Sequence, residues 1–356
     1  LARMRLSLFG CGAAALWSML MTQKPASRRL TDLVGRVWRR PTDEPADRES
    51  TERQLLKAAK AQNAMLAEVA TRLDKIEREV GELRALSDKL FARVRHVEPA
   101  VQSVLRGIFV DPEALPYPER LTAHRFRLNS QNQEDGVTLG LFKRIGATSR
   151  RFVELGSGLS GGNSAVLALE FGWTGLMVDG DARHIAQVGR RFPGVTATSA
   201  WITAENVNEL VERHGFGGEI DLVSIDLDGN DYWIWKALTV SSPRAVIVEY
   251  NSIFGPDRAV TIPYDPQFDR SKHRFIYYGA SLAALARLAS QKGYRLVATT
   301  AGINAYFLRN DVAPEIPTCE PRRAFRLLEK YDVLIQDKTL DVFKWIAEEG
   351  LPLVEV

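Results

Sequence analysis

Five short runs in the middle of the chain, each separated from the next by a helical pattern, constrain the fold most. Arg151–Glu154, Gly175–Asp179, Val195–Ser199, Asp221–Asp226 and Ala245–Tyr250 read as buried parallel strands. Stretches such as Asn163–Glu170 and Asn206–His214 carry helical spacing between them. Strand, helix, strand at this pitch predicts βαβ units and an α/β, doubly wound (Rossmann-like) sheet. After a helix over Ser281–Lys292, two more strands follow, Tyr294–Thr300 and Asn304–Arg309. Only Ala301-Gly302-Ile303 separates them, so they are expected to pair antiparallel. An ordinary dinucleotide-binding domain continues in parallel instead.

A different pattern precedes the sheet. From Thr51 to Val97 apolar residues recur at alternating three and four: Leu66, Val69, Leu73, Ile76, Val80, Leu83, Leu90, Val94 and Val97, with Ser87 the one break. Sustained heptads predict a coiled coil, hence a homo-oligomer, and Pro99 is expected to end it. Pro41–Ser50 reads as a linker. Leu30, Leu33, Val34, Val37 and Trp38 mark one face of a short basic helix. Residues 24–40 suit peripheral contact with an anionic membrane; the alternatives are a disordered basic leader or a helix packed on the protein. The apolar run Leu6–Met21 is short for a membrane span and resembles a signal core; the expectation is that translation begins at Met21. The domains expected are therefore a leader and linker (1–50), a coiled coil (51–98), the sheet domain (99–312) and a helical tail (313–356, with helices over Arg322–Tyr331 and Leu340–Glu349).

Charge narrows the function classes. Lys and Arg number 47 against 44 Asp and Glu, a net charge of +3, which excludes nucleic-acid binding by bulk electrostatics. Only Cys11 and Cys319 are present, too few for a disulfide scaffold or a cysteine-built zinc site. The composition fits a cytoplasmic protein, with membrane association left to the basic leader.

The strand ending at Glu154 runs into Leu155-Gly156-Ser157-Gly158-Leu159-Ser160-Gly161, a G-x-G-x-x-G turn that lets a ligand approach the backbone. The next strand ends at Asp179, where an acid can bind two ribose hydroxyls. Together they predict an adenosine cofactor. Glu154, just before the glycines, suits a ligand with an ammonium group and would repel a pyrophosphate. That argues for S-adenosyl-L-methionine over NAD.

Further motifs carry a family resemblance. They are Ser130-Gln131-Asn132-Gln133-Glu134-Asp135-Gly136, the Val153–Gly161 loop, Val178-Asp179-Gly180-Asp181, Ser224-Ile225-Asp226-Leu227-Asp228-Gly229-Asn230-Asp231 and Val248-Glu249-Tyr250-Asn251. Over roughly Asn129–Arg309 the chain resembles class I S-adenosylmethionine-dependent methyltransferases, and among them the FkbM-like O-methyltransferases. The resemblance implies a sheet closed by an antiparallel terminal hairpin and methyl transfer to a hydroxyl of a saccharide or glycan precursor. It implies that Glu154 holds the methionine ammonium through water or directly, that Gly156 and Gly158 lie along the methionine, and that Asp179 binds the ribose. Trp201 or Ala200 would flank the adenine, and Gln131 and Glu134 would close over the cofactor. Helix capping also accounts for Ser130 and Glu134.

A hydroxyl acceptor needs a base or a metal. Asp228 is the first candidate base, with Asp226 beside it and His273 second. Asp226, Asp228, Glu249 and Asn251, at the ends of adjacent strands, form a candidate Mg²⁺ set. A long insertion, Ser252–Ala280, reads as a lid or acceptor loop. Two rival functions are an NAD-dependent sugar-modifying enzyme and a coiled-coil scaffold with a degenerate fold. The first lacks a Tyr-x-x-x-Lys pair in the right setting.

Overall fold

A computed structural model of the chain describes residues 45–109, 111–123, 125–273, 276–328 and 341–356. The apolar run Leu6–Met21, the basic segment 24–40 and the end of the helix expected over Arg322–Tyr331 lie outside the described residues. The chain divides after Leu86 into two units.

Helix α1 spans Pro45–Phe109. It begins inside the expected linker, where Pro45 suits a first helical position. It also continues through Pro99, which corrects the expected stop. A proline there forfeits one backbone hydrogen bond, and the helix-forming stretches on both sides carry the helix past it. Residues 52–88 of α1 are exposed throughout. Among the described residues no helix is long and apolar enough to cross a membrane.

The second unit is built on helix α2 (Glu134–Ile145) and an alternating series. Its members are β1 (Arg151–Leu155), α3 (Ala165–Phe171), β2 (Thr174–Asp179), α4 (Ala182–Arg191), β3 (Val195–Ser199), α5 (Val207–Arg213), β4 (Gly218–Ile225), α6 (Asp231–Ala237) and β5 (Ser241–Glu249). There follow β6 (Val260–Thr261), α7 (Leu282–Gln291), β7 (Tyr294–Thr300), β8 (Asn304–Arg309), α8 (Val342–Glu348) and β9 (Val354–Glu355). Seven strands form one sheet in the order β3-β2-β1-β4-β5-β8-β7. β1 to β5 run parallel, and β8 lies antiparallel between β5 and β7. This is the Rossmann-like arrangement with an antiparallel closing pair that the strand pattern predicts.

Alternate residues of each central strand enter different cores, which is why both faces had to be apolar. Val153, Val223 and Val246 face one core with α5, α6 and α7. Phe152, Leu222 and Ala245 face the other with α2 and α3. Strand order reverses between β1 and β4, so the crevice for a ligand opens at their C-terminal ends.

The tail is only partly helical. Among its described residues the helices are a single turn at Pro321–Ala324 and α8, and β9 returns to pair antiparallel with β6 of the insertion. Val342 and Ile346 pack on Ile253, Phe254, Val260 and Ile262 in a third small core. The tail therefore clamps the insertion instead of hanging free.

At the other end of the sheet, buried Asp221 accepts the backbone N–H groups of Thr148, Ser149 and Arg150 and pairs with Arg244 at 2.9 Å. Burial pushes its pKa up, but these donors outweigh it and hold the carboxyl below its usual range. Asp221 thus fixes where β1 begins. Asp221→Ala takes the carboxylate from Arg244, which keeps only the Gly146 and Ile145 carbonyls, and strands three amides; it is expected to cost about 3–5 kcal/mol, read from urea unfolding.

Candidate functional site

The glycine loop sits over the gap between β1 and β4. Asp226 N–H donates to Leu155 O at 2.9 Å, and Gly156 N–H donates to Val178 O at 2.9 Å. Gly156 has φ +91°, and a Cβ there would fall inside the carbonyl oxygen of Asp226. Only glycine permits both the turn and the approach. The loop's shape comes from below. Glu154, fully buried, accepts Asn163 N–H at 3.2 Å and Ser164 N–H at 2.9 Å, and also takes the Ser164 hydroxyl. Its carboxylate packs directly under Gly162, where a Cβ would collide with it. Glu154 does not line the cleft, which leaves it no direct contact with a ligand there. It supports the loop.

The cleft has a volume of about 1260 Å³. Gly156, Ser157 and Gly158 form one wall, Asp179 and Trp201 another, and Asp226, Asp228 and Glu249 the floor toward the insertion. Asp179 lies at the end of β2. Its Oδ2 accepts Gly158 N–H at 2.8 Å, while Oδ1 accepts Asp181 N–H at 2.8 Å and lies 3.1 Å from His184 Nδ1. The acid and the loop are thus one preformed unit. Trp201 is 60% exposed, donates to Pro266 O at 2.6 Å, and lays its ring against Gly180. Gln131 also lines the cleft.

The other sequence candidates fall elsewhere. Glu134 is fully buried beside the cleft, where Asn132 N–H, Thr300 Oγ1 and Asn304 Nδ2 donate to it. Ser130 Oγ meanwhile accepts Asp135 N–H at 3.3 Å, while Gln133 at the N-cap makes no side-chain cap. Asn251 is excluded as a metal ligand. Its amide donates to Ile276 O and Tyr278 O, and its oxygen accepts Ile253 N–H. His273 stacks on Phe268 at 5.5 Å and meets Tyr277 edge-on, outside the cleft lining, which removes it as a base.

Three carboxylates do converge. Asp226, Asp228 and Glu249 each offer an oxygen within 4.8 Å of the others. Burial first, and then repulsion from Asp228 and Asp231, pushes the Asp226 pKa well above its usual range. Burial and the same neighbours, with Asp226 foremost, do likewise for Glu249, against the opposing pull of Arg270. Asp228 is the exposed member, held in left-handed backbone at φ 56°. Such a conformation is uncommon for a residue with a side chain, though Asp tolerates it better than most. Asp231 folds this turn from inside, accepting Leu227 N–H at 2.7 Å and Gly229 N–H at 3.0 Å; burial pushes its pKa up to about 6.

Arg270, from the insertion read as a lid or acceptor loop, reaches into this group. It pairs with Asp228, lies 3.7 Å from Glu249 and covers the Tyr278 ring at 4.8 Å. No local pattern marks an arginine inside a long insertion as an active-site cation. Ser157, between the two glycines, was missed. Four buried polar side-chain atoms among the described residues lack a hydrogen-bond partner, and two of them, Ser157 Oγ and Glu249 Oε2, belong to residues that line this cleft. Such atoms cost about 1–3 kcal/mol when unsatisfied, so their placement is a signature of a ligand site.

The sequence matches no protein-family model and no curated protein. Solved structures do align with it. An O-methyltransferase from Bacillus cereus in complex with SAH matches at 16% identity over 62% of this chain and 95% of that one, with a TM-score of 0.33. The methyltransferase domain of bacterial CtHen1-C matches at 15% identity over 49% and 97%, TM-score 0.34. A S-adenosylmethionine-dependent methyltransferase from Clostridium acetobutylicum matches at 11% identity over 48% and 88%, TM-score 0.32. At scores this low, the sheet order and the cleft are the ground for a functional reading, not these likenesses.

Glu154 generates a prediction for stability. Burial pushes its pKa up to about 7 from 4.5, against the hydrogen bonds that favour its charged form. A raised acid pKa means that the folded state holds the proton more tightly. The contribution is full below pH 4.5 and is lost as pH rises through 7. Relative to Glu154→Gln, the natural chain is expected to lose about 3 kcal/mol of stability between pH 4.5 and 8. Parallel urea-unfolding profiles for the two proteins would refute this.

Proposed function

We propose that the chain is an S-adenosylmethionine-dependent O-methyltransferase acting on a hydroxyl of a saccharide or glycan precursor. One observation carries the cofactor: the glycine loop, Asp179 and the unsatisfied Ser157 hydroxyl meet at the switch point of a sheet closed by an antiparallel strand. The cleft is also rich in acids, which favours a cationic sulfonium and ammonium ligand over a pyrophosphate. Asp179 binds the ribose, the Gly156–Gly158 backbone lies along the methionine, and Trp201 flanks the adenine. Gln131 closes from the side.

The acceptor enters from the side of the insertion, whose Arg270 and Phe268 line the cleft. Methyl transfer gains most of its rate from in-line positioning of the two reactants. The remaining need is a proton acceptor. Asp226 serves best, because its raised pKa brings it nearer the operating pH than an ordinary carboxylate. Glu249 shares its environment, and Arg270 limits the repulsion among the three carboxylates. Asp228, exposed and paired with Arg270, orients the acceptor.

The same three carboxylates fit Mg²⁺, a hard cation that takes oxygen ligands, and the open Glu249 Oε2 supports that fit. A bound Mg²⁺ would ease deprotonation of a coordinated hydroxyl. Activity that survives EDTA assigns proton removal to the carboxylates alone; activity lost and then restored by Mg²⁺ assigns it to the metal.

Calorimetric titration tests the cofactor. S-adenosylmethionine and its demethylated product are expected to bind at micromolar concentration, and NAD is not. Asp179→Ala is expected to abolish the binding. Ser157→Ala should weaken it about fivefold without loss of thermal stability, since the removed hydroxyl has no partner in the free protein. Binding of NAD alone would favour the dehydrogenase rival, and silence from all three the scaffold. Once an acceptor is found, Asp226→Asn is expected to cost at least about 100-fold in kcat. The pH–rate profile of the natural enzyme should rise through a pKa above the usual carboxylate range, because the base works only once its proton has left.

A further inference from the structure

Helix α1 carries an exposed apolar stripe. Leu66, Val69, Leu73, Ile76, Val80 and Leu83 recur at alternating three and four, each between 40% and 65% exposed. A stripe this narrow is a coiled-coil seam, since a helix packed on a globular core needs a wider face.

The charges beside the seam identify what covers it. With Leu66, Leu73 and Val80 at a, and Val69, Ile76 and Leu83 at d, the flanking g positions are Arg72 and Glu79 and the e positions are Glu77 and Arg84. In parallel helices held in register, each g residue faces the e residue five positions further along the other strand. Arg72 then meets Glu77, and Glu79 meets Arg84, across the interface. The next g–e pair is Leu86 with Phe91, both apolar, and the sequence repeats the charge match at Arg93 and Glu98. No pair sets like charges together. Residues five apart do not face each other on one helix, so the match has no use within a single chain. There the same side chains bond at four-residue spacing, Arg72 to Glu68 at 2.6 Å and Lys75 to Glu79 at 3.7 Å. We propose that α1 pairs, parallel and in register, with α1 of a second copy of this chain.

The test uses the full chain and is independent of its chemistry. Sedimentation equilibrium is expected to give a mass of at least two copies at micromolar concentration; a monomer overturns the proposal. Glu79→Arg and Arg84→Glu each place like charges opposite one another twice in a symmetric pair. Each is expected to raise the dissociation constant about tenfold, and the double variant to restore it. Failure of the double variant to restore association overturns the register. Orientation is read by Val69→Cys and Leu83→Cys, made separately against the natural chain as background. A parallel seam in register cross-links at both positions under oxidation, whereas cross-linking at one alone or at neither overturns the proposal.

Discussion

The glycine loop depends on one buried carboxylate beneath it. Glu154 gathers the amides of Asn163 and Ser164 at the head of α3, and so dictates the path of the chain between β1 and that helix. The loop then has a single way to lie, with Gly156 against the Asp226 carbonyl and Gly158 bonded to Asp179. Three strand ends are thereby locked to one another before any ligand arrives. A buried acid with a raised pKa is a costly support, but it fixes the loop without filling the space above it.

The opposite wall is organised by charge. Asp226, Asp228 and Glu249 repel one another at close range, and Arg270 is the cation that makes their proximity tolerable. One side of the cleft is therefore rigid and bonded to itself. The other is electrostatically strained and held by a residue from a long loop. Such a division suits a site that keeps one ligand class constant and admits another of variable shape.

The strands were legible because each central one divides its residues between two cores, as Phe152 and Val153 do, and that demands apolar runs of the observed kind. Gly156 and Asp179 were legible for a local reason: a tight turn and the strand end beside it are specified within a few residues. The errors share a different cause. Glu134, Asn251 and His273 have the side-chain chemistry of site residues, yet each is used by packing or capping that depends on distant partners such as Asn304, Tyr278 and Phe268. The insertion was readable as an acceptor loop, but the pairing of its Arg270 with the strand-end carboxylates was not, since that arises only when the insertion folds back over the strand ends. Pro99 misled because a proline's local penalty is smaller than the cooperative gain of continuing a long helix.

The pairing of β9 with β6 has a consequence for cooperativity. Val356 N–H donates to Ala259 O, β9 borders the strand that opens the insertion, and the insertion supplies Phe268 and Arg270 to the cleft. Chain segments about ninety residues apart in sequence thus belong to one folding unit. Amide protons of β6 and β9 should exchange with solvent in a single opening event, and that event would also loosen the insertion side of the cleft. The glycine-loop side, anchored in the central sheet, would remain closed to exchange while it happened.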